Sequence, residues 1–416
     1  MSEETRLSRR TMLSASAAAA VGALAMGAGS LRAATDAQPA GGAPSSSTGK
    51  PEGTLRWGVI GTGTRGGWTH IPVLKEAPES QTIALCDVSE ERMQAAAKRV
   101  GRPVATYSDY QRLLANPDVN AVVIAVPNLL HREILQAAIQ AGKHVLCEKP
   151  AGATPADAAA MKQMVDSAKT VVMFGMQYRN SPHQQKIAEI IESGRIGKPR
   201  YMVQNCSRGD WNLSPNVWRY SDPKVLDGKP VNWRFSQAAS GGTLNEFSCH
   251  YLDLLHWYAG GLPQRVLADG GISVYHDGRD TWDHASVTLQ YADGLTAVHT
   301  LCLFGPGRAD LTIVGTEGSI ETAPKGILRL TLFAKPGSKS GQRIQEIQPD
   351  DQPQRHSADR PTLTLYEDFL ACVKTGKRPD ANVDRAVAAS RTCWLAELAS
   401  ERKAEVKWDE IPGATA

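Results

Sequence analysis

Between residues 55 and 174, short apolar runs rich in Val and Ile alternate with longer stretches of helical periodicity. The runs fall at 55–60, 82–88, 121–126, 144–146 and 171–174, and the helical stretches at 90–100, 131–141 and 155–168. Strands so short and so evenly apolar are buried on both faces. Their alternation with helices predicts βαβ units around a parallel sheet. Pro72 falls inside the first expected helix, so that helix is expected to kink or to start irregularly.

Beyond residue 193 the pattern changes. Residues 205–240 are dense in Trp, Asn, Asp, Pro and Arg and read as loop. A strongly apolar helix is expected at 244–259, followed by strands at 265–275, 285–291, 295–304, 309–314 and 327–333. Asp293-Gly294 between two of them is a hairpin turn signal. Helical stretches at 363–375 and 383–400 close the chain. The expected fold class is α/β: a doubly wound parallel sheet over 54–178, then an α/β domain over 179–410 with an open, mainly antiparallel sheet.

The first 53 residues belong to neither domain. Ser8-Arg9-Arg10-Thr11 precedes an Ala-rich apolar stretch and the small pair Ala33-Ala34. A charged start, a modest apolar core and a small-residue end read as a signal peptide over 1–34. The paired Arg9-Arg10 points to the twin-arginine export machinery and a periplasmic location. Residues 35–53 are rich in Gly, Pro, Ala and Ser and form a linker or an extended arm.

Charge narrows the function classes. The 46 Lys and Arg nearly balance the 43 Asp and Glu, and no basic cluster interleaved with aromatics is present, which argues against a nucleic-acid partner. Seven cysteines, an odd number without zinc-finger spacing, read mostly as small buried apolar residues. The histidines and cysteines show no metal-site spacing either, so no metal is expected.

The first chemical signal is Gly61-Thr62-Gly63-Thr64-Arg65-Gly66, directly after the run 55–60 and opening a helical region. In a G-x-G-x-x-G turn the first glycine permits the tight turn, the second lets the backbone approach a pyrophosphate, and the third allows close strand–helix packing. Arg65 is placed to add an ionic contact to the phosphates. Asp87 ends the next apolar run, where an acid accepts hydrogen bonds from the adenosine ribose and repels a 2′-phosphate. The combination predicts a Rossmann domain binding NAD in preference to NADP.

Further along, Ala125-Val126-Pro127-Asn128, His131, and the run Ala141 to Pro150 that ends in Glu148-Lys149-Pro150 resemble the Gfo/Idh/MocA family, that of glucose–fructose oxidoreductase and inositol dehydrogenase. Gly241-Gly242-Thr243-Leu244-Asn245-Glu246, with His250 and Asp253, resembles its second-domain helix. The resemblance implies a Rossmann domain followed by an α/β domain with the active site between them. It also implies that the second sheet makes the contact of a homodimer or homotetramer. Carried onto this chain, it places the cofactor contacts on residues 61 to 66, Asp87, Pro127, Asn128, His131, Glu148, Lys149 and Gln177. An acid and a His four residues apart complete the site; here the acid is Glu246 and the His is His250. The resemblance to glucose–fructose oxidoreductase offers residues 35–53 the role of an arm packed over a bound nucleotide, with a disordered spacer as the alternative.

Oxidising a carbinol requires a hydride acceptor and a base. His250 is the natural base, because an imidazole with a pKa of about 6.5 exchanges protons at neutral pH. Lys149 would stabilise charge developing on the reacting oxygen. Positions 246, 250 and 253 are spaced to share one face of an α-helix, so Glu246 and Asp253 would orient His250 or bind substrate hydroxyls. Trp211, Trp233 and Arg234 lie in the loop at 205–240, where they either line a sugar pocket or pack the loop. The function expected is an exported NAD-dependent oxidoreductase acting on a carbinol of a sugar, glycoside or polyol. The alternatives are a glycoside hydrolase that oxidises its sugar transiently on NAD, and a binding protein without turnover.

Overall fold

Six nearly all-apolar strands pair side by side, all parallel, in the order β3-β2-β1-β4-β5-β6. They are β1 (Leu55–Ile60), β2 (Ser80–Cys86), β3 (Ala105–Tyr107), β4 (Ala121–Ile124), β5 (His144–Cys147) and β6 (Val172–Phe174). Helices α1 (Ile71–Glu76), α2 (Glu90–Val100), α3 (Tyr110–Leu114), α4 (His131–Gln140) and α5 (Pro155–Asp166) alternate with the strands. The computed structural model describes residues 54–209, 232–334, 341–349 and 359–411. The signal-like segment, the arm at 35–53 and Trp211 lie outside the described residues.

The strand order reverses on either side of β1, which creates a crevice at the C-terminal edge of the sheet. Register brings the relevant residues to that edge: Ile60 lies opposite both Cys86 and Ile124, and Ile124 opposite Cys147. The residues that follow, Gly61, Asp87, Ala125 and Glu148, therefore emerge together. The helix after the glycine turn does start irregularly. A π-turn covers Gly66–His70, and α1 begins only at Ile71 with Pro72 in its first turn, where a missing N–H costs no hydrogen bond.

After α6 (Pro182–Glu192) comes a nine-stranded sheet built from β7 (Pro199–Ser207), β8 (Arg265–Gly271), β9 (His284–Gln290), β10 (Thr296–Cys302), β11 (Arg308–Gly315), β12 (Gly318–Thr322), β13 (Leu328–Leu332), β14 (Arg343–Ile347) and β15 (Val406–Lys407). Its order is β14-β13-β12-β11-β7-β10-β9-β8-β15, antiparallel except for the central β7–β10 pair. Along β10, Ala297, His299 and Leu301 are buried, while Thr296, Val298 and Thr300 are partly exposed, so one face is covered and the other open. A short helix α7 (Gln237–Ser240), a π-turn (Leu244–Ser248) and α8 (Cys249–Ala259) lie between β7 and β8.

The last helices, α9 (Arg360–Thr375) and α10 (Val383–Arg402), return to the first sheet. Trp57 of β1 packs its ring 5.2 Å from Tyr366 and 4.9 Å from Phe369. The Phe174 N–H donates to Ala381 O at 2.8 Å, and the Ala151 N–H to Ser390 Oγ at 3.3 Å. All seven cysteines are free thiols, five of them buried. No helix among the described residues is long and apolar enough to cross a membrane.

Candidate active site

The glycine turn is shaped by two steric demands and one opening. Gly61 has φ of +87°, and a Cβ there would lie 2.3 Å from Ala125 O. A Cβ on Gly66 would lie 1.8 Å from Gly61 O, so the third glycine lets the π-turn close on β1. A Cβ on Gly63 would meet nothing within 4 Å. No protein atom requires the second glycine, which fits close approach by a ligand phosphate. Thr64 beside it is exposed.

Asp87 buttresses this turn. Its Oδ2 accepts from the Thr62 N–H at 2.8 Å and from the Thr62 hydroxyl at 3.0 Å. Its Oδ1 accepts from the Ser89 N–H at 2.9 Å and from Arg92 Nε at 3.2 Å and Nη2 at 3.1 Å. The acid expected to face the ribose thus also fixes the glycine turn and anchors the start of α2. The donor set and the open second glycine fit a dinucleotide: the turn at residues 61–66 would hold the pyrophosphate and Asp87 the ribose.

Other expected cofactor residues brace loops. His131 is fully buried between the turns after β4 and β5, with Nδ1 3.0 Å from Pro150 O and Nε2 3.0 Å from Val126 O, and its neutral ring donates to one of these carbonyls. Pro127 starts the short turn Asn128–Leu130, from which Asn128 Nδ2 donates to Ser240 O at 2.8 Å and to Glu246 Oε2 at 3.0 Å. Gln177, with its amide turned to satisfy its neighbours, accepts from Arg65 Nη2 at 2.9 Å and donates to Gly175 O. Arg65 is directed to Glu148 Oε1, at 2.5 Å.

Lys149 meets Glu246 where the two domains face each other. Its Nζ donates to the main-chain carbonyl of Glu246 at 2.5 Å and lies 3.5 Å from Oε2 of the same residue. That carbonyl belongs to the π-turn, whose i→i+5 bonding includes the Cys249 N–H on Leu244 O before the α pattern resumes within α8.

Glu246 is further held by Arg234 Nε, 3.0 Å from Oε1. Burial opposes its charge, but Lys149 and Arg234 outweigh that, and its pKa falls below the ordinary carboxylate value. Burial also opposes the Lys149 charge; Glu246, and behind it Glu148, outweigh it, and the ammonium is held protonated. Arg234 in turn lies against the Trp233 ring, 4.3 Å from its centroid. Their turn is pinned from behind by Arg279, which is sandwiched between Phe235 at 4.2 Å and Tyr275 at 4.4 Å. The loop carrying Tyr275 is fastened by Asp283, which accepts the N–H groups of Ser273, Val274 and Tyr275.

His250 is 6% exposed, and its Nδ1 is buried without a partner among the described residues. Burial, and next the Lys149 charge, push its pKa well below the ordinary imidazole value, so the ring is neutral at neutral pH. Neighbouring Cys249 is pushed up to about 12 by burial and is a thiol there.

The single α-helical face expected for residues 246, 250 and 253 is not formed. Glu246 lies in the π-turn, where residues do not stack at α-helical spacing, and Asp253 turns away from the cleft. Asp253 is 2% exposed; its oxygens take Arg179 at 2.5 and 2.8 Å and Arg385 at 3.4 Å. Its carboxylate is committed to two arginines, not to a ligand's hydroxyls.

Sequence reasoning passed over His70, Tyr178, Thr362 and Tyr366. His70 and Tyr366 join through a 2.8 Å hydrogen bond across 296 residues, which no local pattern announces. Tyr178 follows Gln177 directly, and its neighbour was its only signal.

Comparison with known proteins agrees with this architecture. A profile described as oxidoreductase family, NAD-binding Rossmann fold, matches residues 55–176, and a GFO/IDH/MocA C-terminal domain profile matches residues 184–321. The levoglucosan dehydrogenase of Pseudarthrobacter phenanthrenivorans is 29% identical over 260 residues, spanning 57% of this chain and 63% of that enzyme. The myo-inositol 2-dehydrogenase of Thermotoga maritima is 27% identical over 364 residues, 86% of this chain and 100% of that enzyme. A solved levoglucosan dehydrogenase in complex with NADH superposes with a TM-score of 0.74 at 21% identity, covering 85% of this chain and 99% of that one. With an NAD-binding Rossmann domain and the matching C-terminal domain together spanning most of the described residues, this chain belongs to the Gfo/Idh/MocA family of oxidoreductases.

Proposed function

We propose that this protein is an exported NAD-dependent dehydrogenase of a sugar, glycoside or polyol. The observation that carries the reading is the Lys149 ammonium, fixed on Glu246 beside a neutral, buried His250 at the edge where the sheet positions a dinucleotide. A bound nicotinamide would supply one thing, acceptance of the hydride from the carbinol carbon. His250 takes the hydroxyl proton as the C–O bond becomes a carbonyl. Lys149 donates a hydrogen bond to that oxygen and stabilises its developing negative charge. Glu246 keeps the ammonium protonated and aimed, and Trp233 and Arg234 border the substrate.

The similarity to levoglucosan and inositol dehydrogenases supports a polyhydroxylated substrate. Asp87 supports NAD over NADP, because an acid at the end of the second strand suits the adenosine ribose hydroxyls and repels a 2′-phosphate. Arg9-Arg10 and the Ala-rich stretch support twin-arginine export to the periplasm. The implied assembly is a homodimer or homotetramer.

The test is a panel of anhydrosugars, aldoses and inositols, followed by NADH absorbance with either cofactor, with nitrophenol release from aryl glycosides assayed in parallel. NADH formation with a polyol, abolished by Lys149→Ala, is expected. Nitrophenol release without net NADH would replace this reading by NAD-assisted glycoside hydrolysis. For export, Arg9→Lys with Arg10→Lys should retain the protein in the cytoplasm; unchanged periplasmic recovery would overturn that part.

A further inference from the structure

Arg65 stands within the glycine fingerprint, where a cation is well placed to meet a pyrophosphate, yet its guanidinium is engaged elsewhere. Nε donates to Glu148 Oε1 at 2.5 Å, Nη2 reaches Thr362 Oγ1 at 3.2 Å and the Gln177 amide oxygen at 2.9 Å, and Nη1 lies 3.7 Å from Asp359. His70 approaches the same carboxylate oxygen from another side, with Nε2 2.9 Å from Oε1. A carboxylate only accepts, so Nε2 carries the proton. Nδ1, which is then an acceptor, receives the Tyr366 hydroxyl at 2.8 Å. The other oxygen of Glu148 accepts the main-chain N–H of Lys149 at 3.2 Å.

These contacts place the Lys149 ammonium under the influence of two buried carboxylates, Glu246 and Glu148. The other titratable or charged groups around it are Cys249, Arg234, Tyr178 and His250. Burial disfavours the Glu148 charge, and Arg65, ahead of His70 and Lys149, more than compensates. Because Arg65 neutralises Glu148, Lys149 is left to Glu246. Without the guanidinium, Glu148 would keep the His70 N–H but lose its permanent counter-ion, leaving Lys149 as the nearest fixed cation in its field, and a buried charge without a counter-ion is strongly disfavoured. The ammonium would be drawn off Glu246 toward its own chain neighbour.

We propose that Arg65 is a positioning residue that acts through Glu148 to hold Lys149 on Glu246, and that it is not a ligand of the cofactor phosphates. The inference rests on the dehydrogenase reading above. It also assigns work to α9, whose Thr362 and Tyr366 hold Arg65 and His70 in place.

The full-length protein and its Arg65→Ala, Arg65→Lys, Glu148→Gln and Arg65→Ala/Glu148→Gln variants decide the matter. NADH affinity is read from quenching of intrinsic tryptophan fluorescence at low and high salt, and kcat at saturating cofactor with a polyol that the wild type oxidises. Arg65→Ala should lower kcat by about thirtyfold while the NADH Kd changes by less than about threefold, the signature of a group acting on turnover and not on cofactor binding. Arg65→Lys should recover part of the loss, and adding Glu148→Gln to Arg65→Ala should raise kcat above that of Arg65→Ala alone, because it removes the competing charge. The opposite split overturns the proposal: kcat within about twofold of wild type, with Kd raised about tenfold and steeply salt-dependent, marks a phosphate ligand. If Arg65→Ala does not fold, Arg65→Lys is judged by the same split. If the wild type oxidises no polyol, the dehydrogenase reading fails separately, and the Kd of the variants still decides whether Arg65 holds a phosphate.

Discussion

The ring of Tyr178 lies flat on the imidazole of His250, with centroids 4.1 Å apart and planes 8° from parallel. The stack fixes the plane of His250 and so the direction of its proton-accepting nitrogen. Tyr178→Phe preserves the stack and should keep kcat within about threefold, whereas Tyr178→Ala should lower it by about fiftyfold through misorientation of the base. Steady-state kinetics on both variants checks this. An equal loss in the two would shift the role to the tyrosine hydroxyl.

Asp253 behaves as the anchor of an ion-pair cluster. Asp253→Asn leaves Arg179 and Arg385 facing a neutral amide and should cost about 3 kcal/mol of stability. Thermal or denaturant unfolding measures the loss, and the substrate KM should move little. A raised KM at unchanged stability would return Asp253 to hydroxyl binding.

The glycine turn makes a paired prediction. Gly63→Ala should leave stability within about 0.5 kcal/mol of wild type, since its Cβ points into open space. It should weaken NADH binding by about tenfold or more, because that space is where the pyrophosphate approaches. Gly66→Ala should fail at an earlier stage, as its Cβ would strike Gly61 O at 1.8 Å. Soluble yield and unfolding midpoint, measured beside NADH titration, separate the two outcomes.

Stability should fall on both sides of a pH optimum. Burial depresses the pKa values of His70, His131, His144 and His250, and takes His256 and His299 down to about 4. As pH falls from about 6.5, the unfolded chain binds protons that the folded chain refuses, so stability present above 6.5 is lost toward pH 4. Glu397 has the opposite sign. Burial raises it from 4.5 to about 8, so its contribution is complete below 4.5 and is lost as pH rises toward 8. Unfolding midpoints measured from pH 4 to pH 9 should trace this profile. Glu397→Gln should flatten the profile between about pH 6.5 and 8 and steepen the acid limb between about 4.5 and 6.5, where Glu397 opposes the histidines.

Five strands of the parallel sheet were legible in the sequence because they are largely apolar and the glycine turn stands in register with them; β3, three residues long and mostly exposed, escaped. The second sheet was legible only in part. β7 escaped because Arg200, Gln204 and Asn205 interrupt its apolar pattern, yet Gln204 is buried and donates to Asp310 O at 3.1 Å. β14 escaped because it is a mostly exposed edge strand. At the site, Lys149, Glu246 and His250 were singled out mainly by the family resemblance and in part by spacing, but the spacing assumed one continuous α-helix. The π-turn at Leu244–Ser248 breaks that assumption, and no composition signal marks it. Partners of Arg65 and His70 such as Thr362 and Tyr366 lie about three hundred residues away, beyond any local pattern.

That distance has a consequence for synthesis. A ribosome that has delivered β1 to β6 has not yet made the helix on which Trp57 packs, nor Ala381, which accepts the Phe174 N–H of the edge strand. The emerging N-terminal half must wait, with apolar surface uncovered, until nearly the whole message has been translated. Completion of the dinucleotide crevice is therefore tied to helices that begin only at Arg360, and a nascent protein stalled before α9 and α10 is a client for holding chaperones, not a small cofactor-binding domain.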